Sequence, residues 1–171
     1  VLNNTIQDAA SGGGVYCTSS TLTIQNGSTL SGNTAGDDGG GLYINGCDVV
    51  IDGSTINNNA ADAGDNSGGG GGIFYDSNNG VDLVVRNNSV IDNNTASYGA
   101  GLVLLDDVTI TDTDITNNDA TGNQGGIYMG SVTTVLERIT VAGNTATQQA
   151  GIYVVGATAD LTLTDSTVSG N

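Results

Sequence analysis

Residues 39–43 read GGGLY, and the chain writes that string six times. Clear copies are GGGVY at residues 12–16 and GGGIF at residues 70–74. Worn copies are GAGLV from Gly99, QGGIY from Gln124 and QAGIY from Gln149. The aliphatic anchors are Val15, Leu42, Ile73, Leu102, Ile127 and Ile152, spaced by 27, 31, 29, 25 and 25 residues. Self-similarity at such a period signals stacked supersecondary units.

A second signature follows in each unit: an aliphatic residue, two variable residues, then Asn. It pairs Leu30 with Asn33, Ile56 with Asn59, Ile91 with Asn94, Ile115 with Asn118, Val141 with Asn144 and Val168 with Asn171. Alanine stands two residues later at Ala35, Ala61, Ala96, Ala120 and Ala146. A degraded copy is expected at the start, with Ile6 in register and Ala9 in the Asn position. Between the two signatures runs a short alternation: Leu22/Ile24, Val49/Ile51, Leu83/Val85, Val108/Ile110, Thr134/Leu136 and Leu161/Leu163. Period two means strands, and no window carries a helical stripe. Three short strands per unit of 25–31 residues predict an all-β, right-handed, single-stranded parallel β-helix of about six coils. Residues 1–171 form one such domain. Equivalent side chains should stack in columns, with the aliphatics inside. Asn33, Asn59, Asn94, Asn118, Asn144 and Asn171 should form a hydrogen-bonded ladder in a tight bend.

Composition narrows the function. The 171 residues carry 18 acidic side chains, two arginines, and neither lysine nor histidine, for a net charge of -16. Such a surface repels a phosphate backbone, so nucleic acid is excluded as a partner. Without histidine there is no classical triad and no His-ligated metal; without lysine there is no Schiff base. No apolar run reaches the ~20 residues of a membrane span. The chain enters and leaves at the same phase of the repeat, which fits a segment of a longer repeat protein or a fibre subunit.

The GGG-aliphatic-Tyr and aliphatic-x-x-Asn motifs resemble those of bacterial right-handed parallel β-helix proteins of the cell surface. These include autotransporter-like passengers and polymorphic outer-membrane proteins, whose repeats carry GGA-aliphatic and Phe-x-x-Asn. The resemblance spans the chain and extends to the pectate-lyase-like superfold. It implies an extracellular or cell-surface location and a noncatalytic structural or adhesive role, as a rigid acidic spacer or filament. Partners would be further copies of the chain, or surface glycans and proteins. The same superfold hosts polysaccharide lyases and hydrolases, so carbohydrate binding or cleavage is the alternative. Paired carboxylates at about 5–9.5 Å would be needed for hydrolysis. No coil stands out as irregular, and enzymatic activity is not expected.

Four sets of residues are candidates for function or assembly. The position after each anchor reads Tyr16, Tyr43, Phe74, Val103, Tyr128, Tyr153, which predicts an outward aromatic column. It is either a partner-binding surface or an internal stack of rings. Asp37, Asp38, Asp62 and Asp65 sit in Asp-Gly-rich loops of neighbouring coils and could hold calcium. No cofactor is required, and a high-salt habitat explains the same acidity. Cys17 and Cys47 lie two and five residues past their anchors; the sequence leaves open whether they pair. Register places Arg86 above Asp52, and Arg138 between Asp112 and Asp165, which favours structural ion pairs over a catalytic base. Flat threonine arrays of the ice-binding kind are broken by Asp52, Arg86 and Glu137.

Overall fold

A computed structural model describes residues 1–6, 10–61, 67–76, 80 and 82–171. Every strand in it pairs parallel with its copy one repeat away. The first sheet stacks Val15–Thr18, Leu42–Asn45, Ile73–Asp76, Leu102–Leu104, Ile127–Met129 and Ile152–Val154. The second stacks Thr21–Gln25, Asp48–Asp52, Leu83–Arg86, Val108–Thr111, Thr133–Glu137 and Asp160–Thr164. The third stacks Thr29–Ser31, Thr55–Asn57, Ser89–Asp92, Thr113–Thr116, Thr140–Ala142 and Thr167–Ser169. Six strands in a stack make five steps, so the solenoid has about five turns rather than six.

The expectation of three strands per coil falls short. A fourth sheet joins Thr34–Ala35, Ala60–Ala61, Thr95–Tyr98 and Asp119–Asn123. The alanine column forms it: Ala61, Ala96, Ala100 and Ala120 pack into a small cluster of their own. Two of its four strands have only two residues and carry no alternation, so their sequence does not announce them.

The anchors, the second-sheet aliphatics and the aliphatics before each Asn point inward and make one continuous core. Burial comes from the adjacent coil: Leu136 is fully buried, while Leu163, its copy in the last coil, is 45% exposed. Cys17 and Cys47 close a disulfide between the first two coils, with Cα atoms 6.1 Å apart. Cys17 is in register with Ile44, and the turn after that strand returns Cys47 toward it.

The asparagine ladder is continuous. The amide oxygen of Asn94 accepts both the backbone N–H and the side-chain amide of Asn59, each at 3.0 Å. Its own amide donates to Asn118 Oδ1 at 3.0 Å and to the Ile56 carbonyl at 3.1 Å. Asn59, Asn118 and Asn144 repeat this set. The residue before each rung is left-handed, with φ between 52° and 66° at Gly32, Asn58, Asn93, Asn117 and Gly143, which makes the bend tight. The last glycine of each triplet packs on these amides. A Cβ on Gly41 would lie 2.9 Å from the Asn59 amide nitrogen and 2.7 Å from the Gly72 carbonyl, so no side chain fits.

The first rung departs from the sequence reading. It is Asn4, whose N–H and side-chain amide donate to Asn33 Oδ1 at 3.1 and 2.9 Å. Ile6 therefore stands in the alanine position, because the bridge of Thr5 to Thr34 fixes the register. Ala9 lies outside the described residues. The left-handed residue was the overlooked signal: Asn3-Asn4 repeats the Gly/Asn-Asn step of the later rungs.

Two core substitutions should move stability in opposite directions in urea unfolding. Asn118→Ala leaves the Asn94 N–H and amide without their acceptor and should cost about 2–4 kcal/mol. Thr134 is fully buried, and its hydroxyl has no partner. Thr134→Val should therefore stabilise by about 1 kcal/mol; a loss of stability would contradict that view of the core.

Candidate functional site

The aromatic column is in register throughout: Tyr16 pairs with Tyr43, Tyr43 with Phe74, Phe74 with Val103, Val103 with Tyr128 and Tyr128 with Tyr153. Tyr16, Tyr43 and Phe74 stack with centroids 5.0 and 5.4 Å apart. At the other end, Tyr128 and Tyr153 tilt together at 5.9 Å. The column is not an open stripe, however. Tyr16 is 54% exposed, but Phe74 is 5% exposed and Val103 is fully buried.

Tyr98, at the end of its fourth-sheet strand, packs beside the column. Its ring rests on Gly69, where a Cβ would come within 2.4 Å of the ring. It meets Tyr128 edge-on, with centroids 5.8 Å apart and planes at 78°. Burial pushes its hydroxyl pKa up, and the Asp38 charge adds to that. Facing out of a sheet is therefore not the same as facing solvent, and periodicity alone could not reveal Tyr98.

Beside Tyr98 the stacking breaks. Ala96 pairs with Ala120, but Tyr98 pairs with Asn123, so the later coil carries one extra residue, a β-bulge. The stack is locally irregular at this point. A cleft of about 470 Å³ opens there, lined by Ser97, Tyr98, Leu105, Asn123, Gln124 and Tyr128. A smaller groove of about 230 Å³ lies on the second sheet between Asp82, Asp107 and Thr133.

Of the candidate calcium residues, Asp37 and Asp38 are described. Asp38 accepts the Gly69 N–H at 2.8 Å, which fastens its loop to the next coil. Burial raises its pKa to about 6, and the charges of Asp37 and Asp76 add to the rise. Asp62 and Asp65 lie outside the described residues. Among the described residues, no three acidic or cysteine side chains gather as a metal site would require.

The arginines sit on aspartates, as register implies. Arg86 Nε donates to Asp52 at 2.8 Å, and the Asn87 amide donates to the same carboxylate at 2.9 Å. These bonds hold the Asp52 carboxyl below the usual range, the Asn87 bond most. Arg138 donates twice to Asp112, at 2.6 and 2.9 Å, which lowers the Asp112 pKa, and it also meets Glu137. The expected position between Asp112 and Asp165 resolves to Asp112: the Arg138 backbone reaches the next coil through the Thr164 carbonyl. All of these groups are exposed or half-exposed, so solvent screens the pairs and they contribute little to stability.

The Asp38 shift has a definite sign. Its folded pKa, about 6, lies above the ordinary carboxylate value of 3.8, so the folded state holds the proton more tightly. Asp38 then contributes stability below about pH 4 that is lost as pH rises through 6. Asp52 and Asp112 act in the opposite sense and stabilise above the unfolded carboxylate pKa. Comparing urea midpoints of wild type and Asp38→Asn across pH 4–7 should show the variant gaining relative stability as pH rises. Parallel curves would sink the assignment.

The comparison with curated proteins and that with solved structures returned no match. The family described as right handed beta helix region matches residues 1–171, the whole of the sequence. Its handedness agrees with the expectation for parallel crossovers, and the stacked columns supply the architecture. The chain belongs to the right-handed β-helix family.

Proposed function

We propose that this chain is a noncatalytic structural or adhesive module, a rigid acidic rod that works outside the cell or at its surface. The observation that carries the reading is the uninterrupted ladder from Asn4 to Asn171, in which each step is bonded through both backbone and side chain. Such a rod holds a shape without a cofactor. The Cys17–Cys47 disulfide supports an oxidising compartment. The net charge of -16 supports a well-solvated surface. The likeness to autotransporter-like passengers and polymorphic outer-membrane proteins belongs to this reading. So does self-association. Calcium remains a proposal for the loops that hold Asp37 and Asp38.

Carbohydrate binding is the second reading, favoured by the stacked and partly exposed rings of Tyr16 and Tyr43. The rings stack on each other, so a sugar would meet their edges and the outer face of Tyr16.

Protease shaving of intact producing cells, followed by thiol labelling of the released chain, tests the main reading. Release without lysis and no free thiol are expected. A chain reached only after lysis, with both cysteines labelled, would overturn the surface assignment. Product release from a polysaccharide panel that disappears on one Asp→Asn change would overturn the noncatalytic one.

A further inference from the structure

The cleft beside the β-bulge has walls unlike the rest of the surface. Two tyrosine rings and Leu105 supply apolar faces; Ser97, Asn123 and Gln124 supply a hydroxyl and two amide carbonyls. None of these lining residues carries a charge. Asp38 nevertheless lies near the cleft: its carboxylate accepts the N–H of Gly69, on which the Tyr98 ring rests. The molecule around the cleft has a net charge of -16. An aromatic pocket with acceptors on its wall, a carboxylate nearby and a strongly negative field suits a planar organic cation. A guanidinium stacks on aromatic faces and offers five donors to carbonyl acceptors. The chain's own arginines are held by Asp52 and Asp112. A second copy holds its arginines in the same pairs and so presents none to the cleft.

We propose that the cleft between Tyr98 and Tyr128 receives an arginine side chain presented by a basic polypeptide partner. This deepens the adhesive reading by naming the partner's chemistry. The field steers the partner in, and the rings and amides select arginine from other cations.

Calorimetry on the purified chain with tri-arginine amide, at about 150 mM NaCl so that diffuse attraction is screened, tests this. Tri-arginine should saturate one site, and tri-citrulline, its uncharged analogue, should not bind. Tyr98→Leu and Tyr128→Leu should each weaken binding about 5- to 30-fold. The ring-retaining Tyr98→Phe and Tyr128→Phe should bind like wild type, which separates loss of the ring from loss of the fold. Asp160→Asn, on the second sheet, should change affinity by about twofold or less. Equal small losses in the tyrosine variants and in Asp160→Asn would reduce the effect to diffuse charge and overturn the proposal. Displacement of tri-arginine by maltotriose would overturn it too, in favour of a neutral sugar. Neither result would alter the outcome of shaving cells, so the two readings fail separately.

Discussion

A buried primary amide has two donors and two acceptor sites, and leaving them unfilled costs about 1–3 kcal/mol per group. The ladder fills all of them by joining each coil to the next. Asn94 is typical: it accepts twice from Asn59, donates to Asn118 and donates to Ile56. The bonds link equivalent positions only, so a coil displaced by one residue would lose them and would also turn its aliphatics outward. Several other features follow from this constraint. The residue before each rung must be left-handed, hence the Gly or Asn there. The glycine that packs on the amide must lack a side chain, hence its presence in every triplet, including the worn ones.

The charge is arranged with the same attention to columns. Like charges directly opposite on neighbouring strands repel, and a chain with 18 acidic residues could hardly avoid them at random. Asp48, Asp82 and Asp107 do stand in one column of the second sheet, but many carboxylates take donors from the following coil. Asp52 takes Arg86 and Asn87; Asp92 takes Thr116 and Asn117; Asp112 takes Arg138. Asp38, Asp48 and Asp107 accept backbone N–H groups of Gly69, Asp82 and Thr133. In each case the acceptor belongs to the earlier coil and the donor to the later one. Parallel stacking gives every coil two chemically different flanks, and here the acid groups face the same way along the axis.

How much of this could be read from the sequence depended on whether a feature repeats. Columns repeat, so the aromatic, aliphatic and asparagine registers were legible to the residue, as was the pairing of Arg86 with Asp52. Three features were missed. The fourth sheet rests on the repeating alanines, but two of its strands have only two residues and are too short to alternate. Asn4 lies in a coil where Ile6, in the alanine position, imitates the aliphatic that stands three residues before a rung. Tyr98 pairs with Gly69 and Asn123, so its column holds no repeating residue type and leaves no periodic trace. The disulfide was undecided for a related reason: Cys17 and Cys47 differ in offset, and only the path of the turn brings them together.

The location of those misses has a physical cause. The strands of a coil must stack on their neighbours, so length varies in the connections between them. Asn59 follows Leu42 by 17 residues, Asn94 follows Ile73 by 21 and Asn118 follows Leu102 by 16. The bend between ladder and anchor varies as well: Leu42 follows Asn33 by 9 residues, Ile73 follows Asn59 by 14, and Leu102 follows Asn94 by 8. Added length in such a connection costs little, growing only with the logarithm of loop size. Asp38, Tyr98, Asn123 and Gln124 all come from this bend. A solenoid held by its ladder can therefore place distinctive chemistry in the connections, and the cleft beside Tyr98 and Tyr128 draws on one of them.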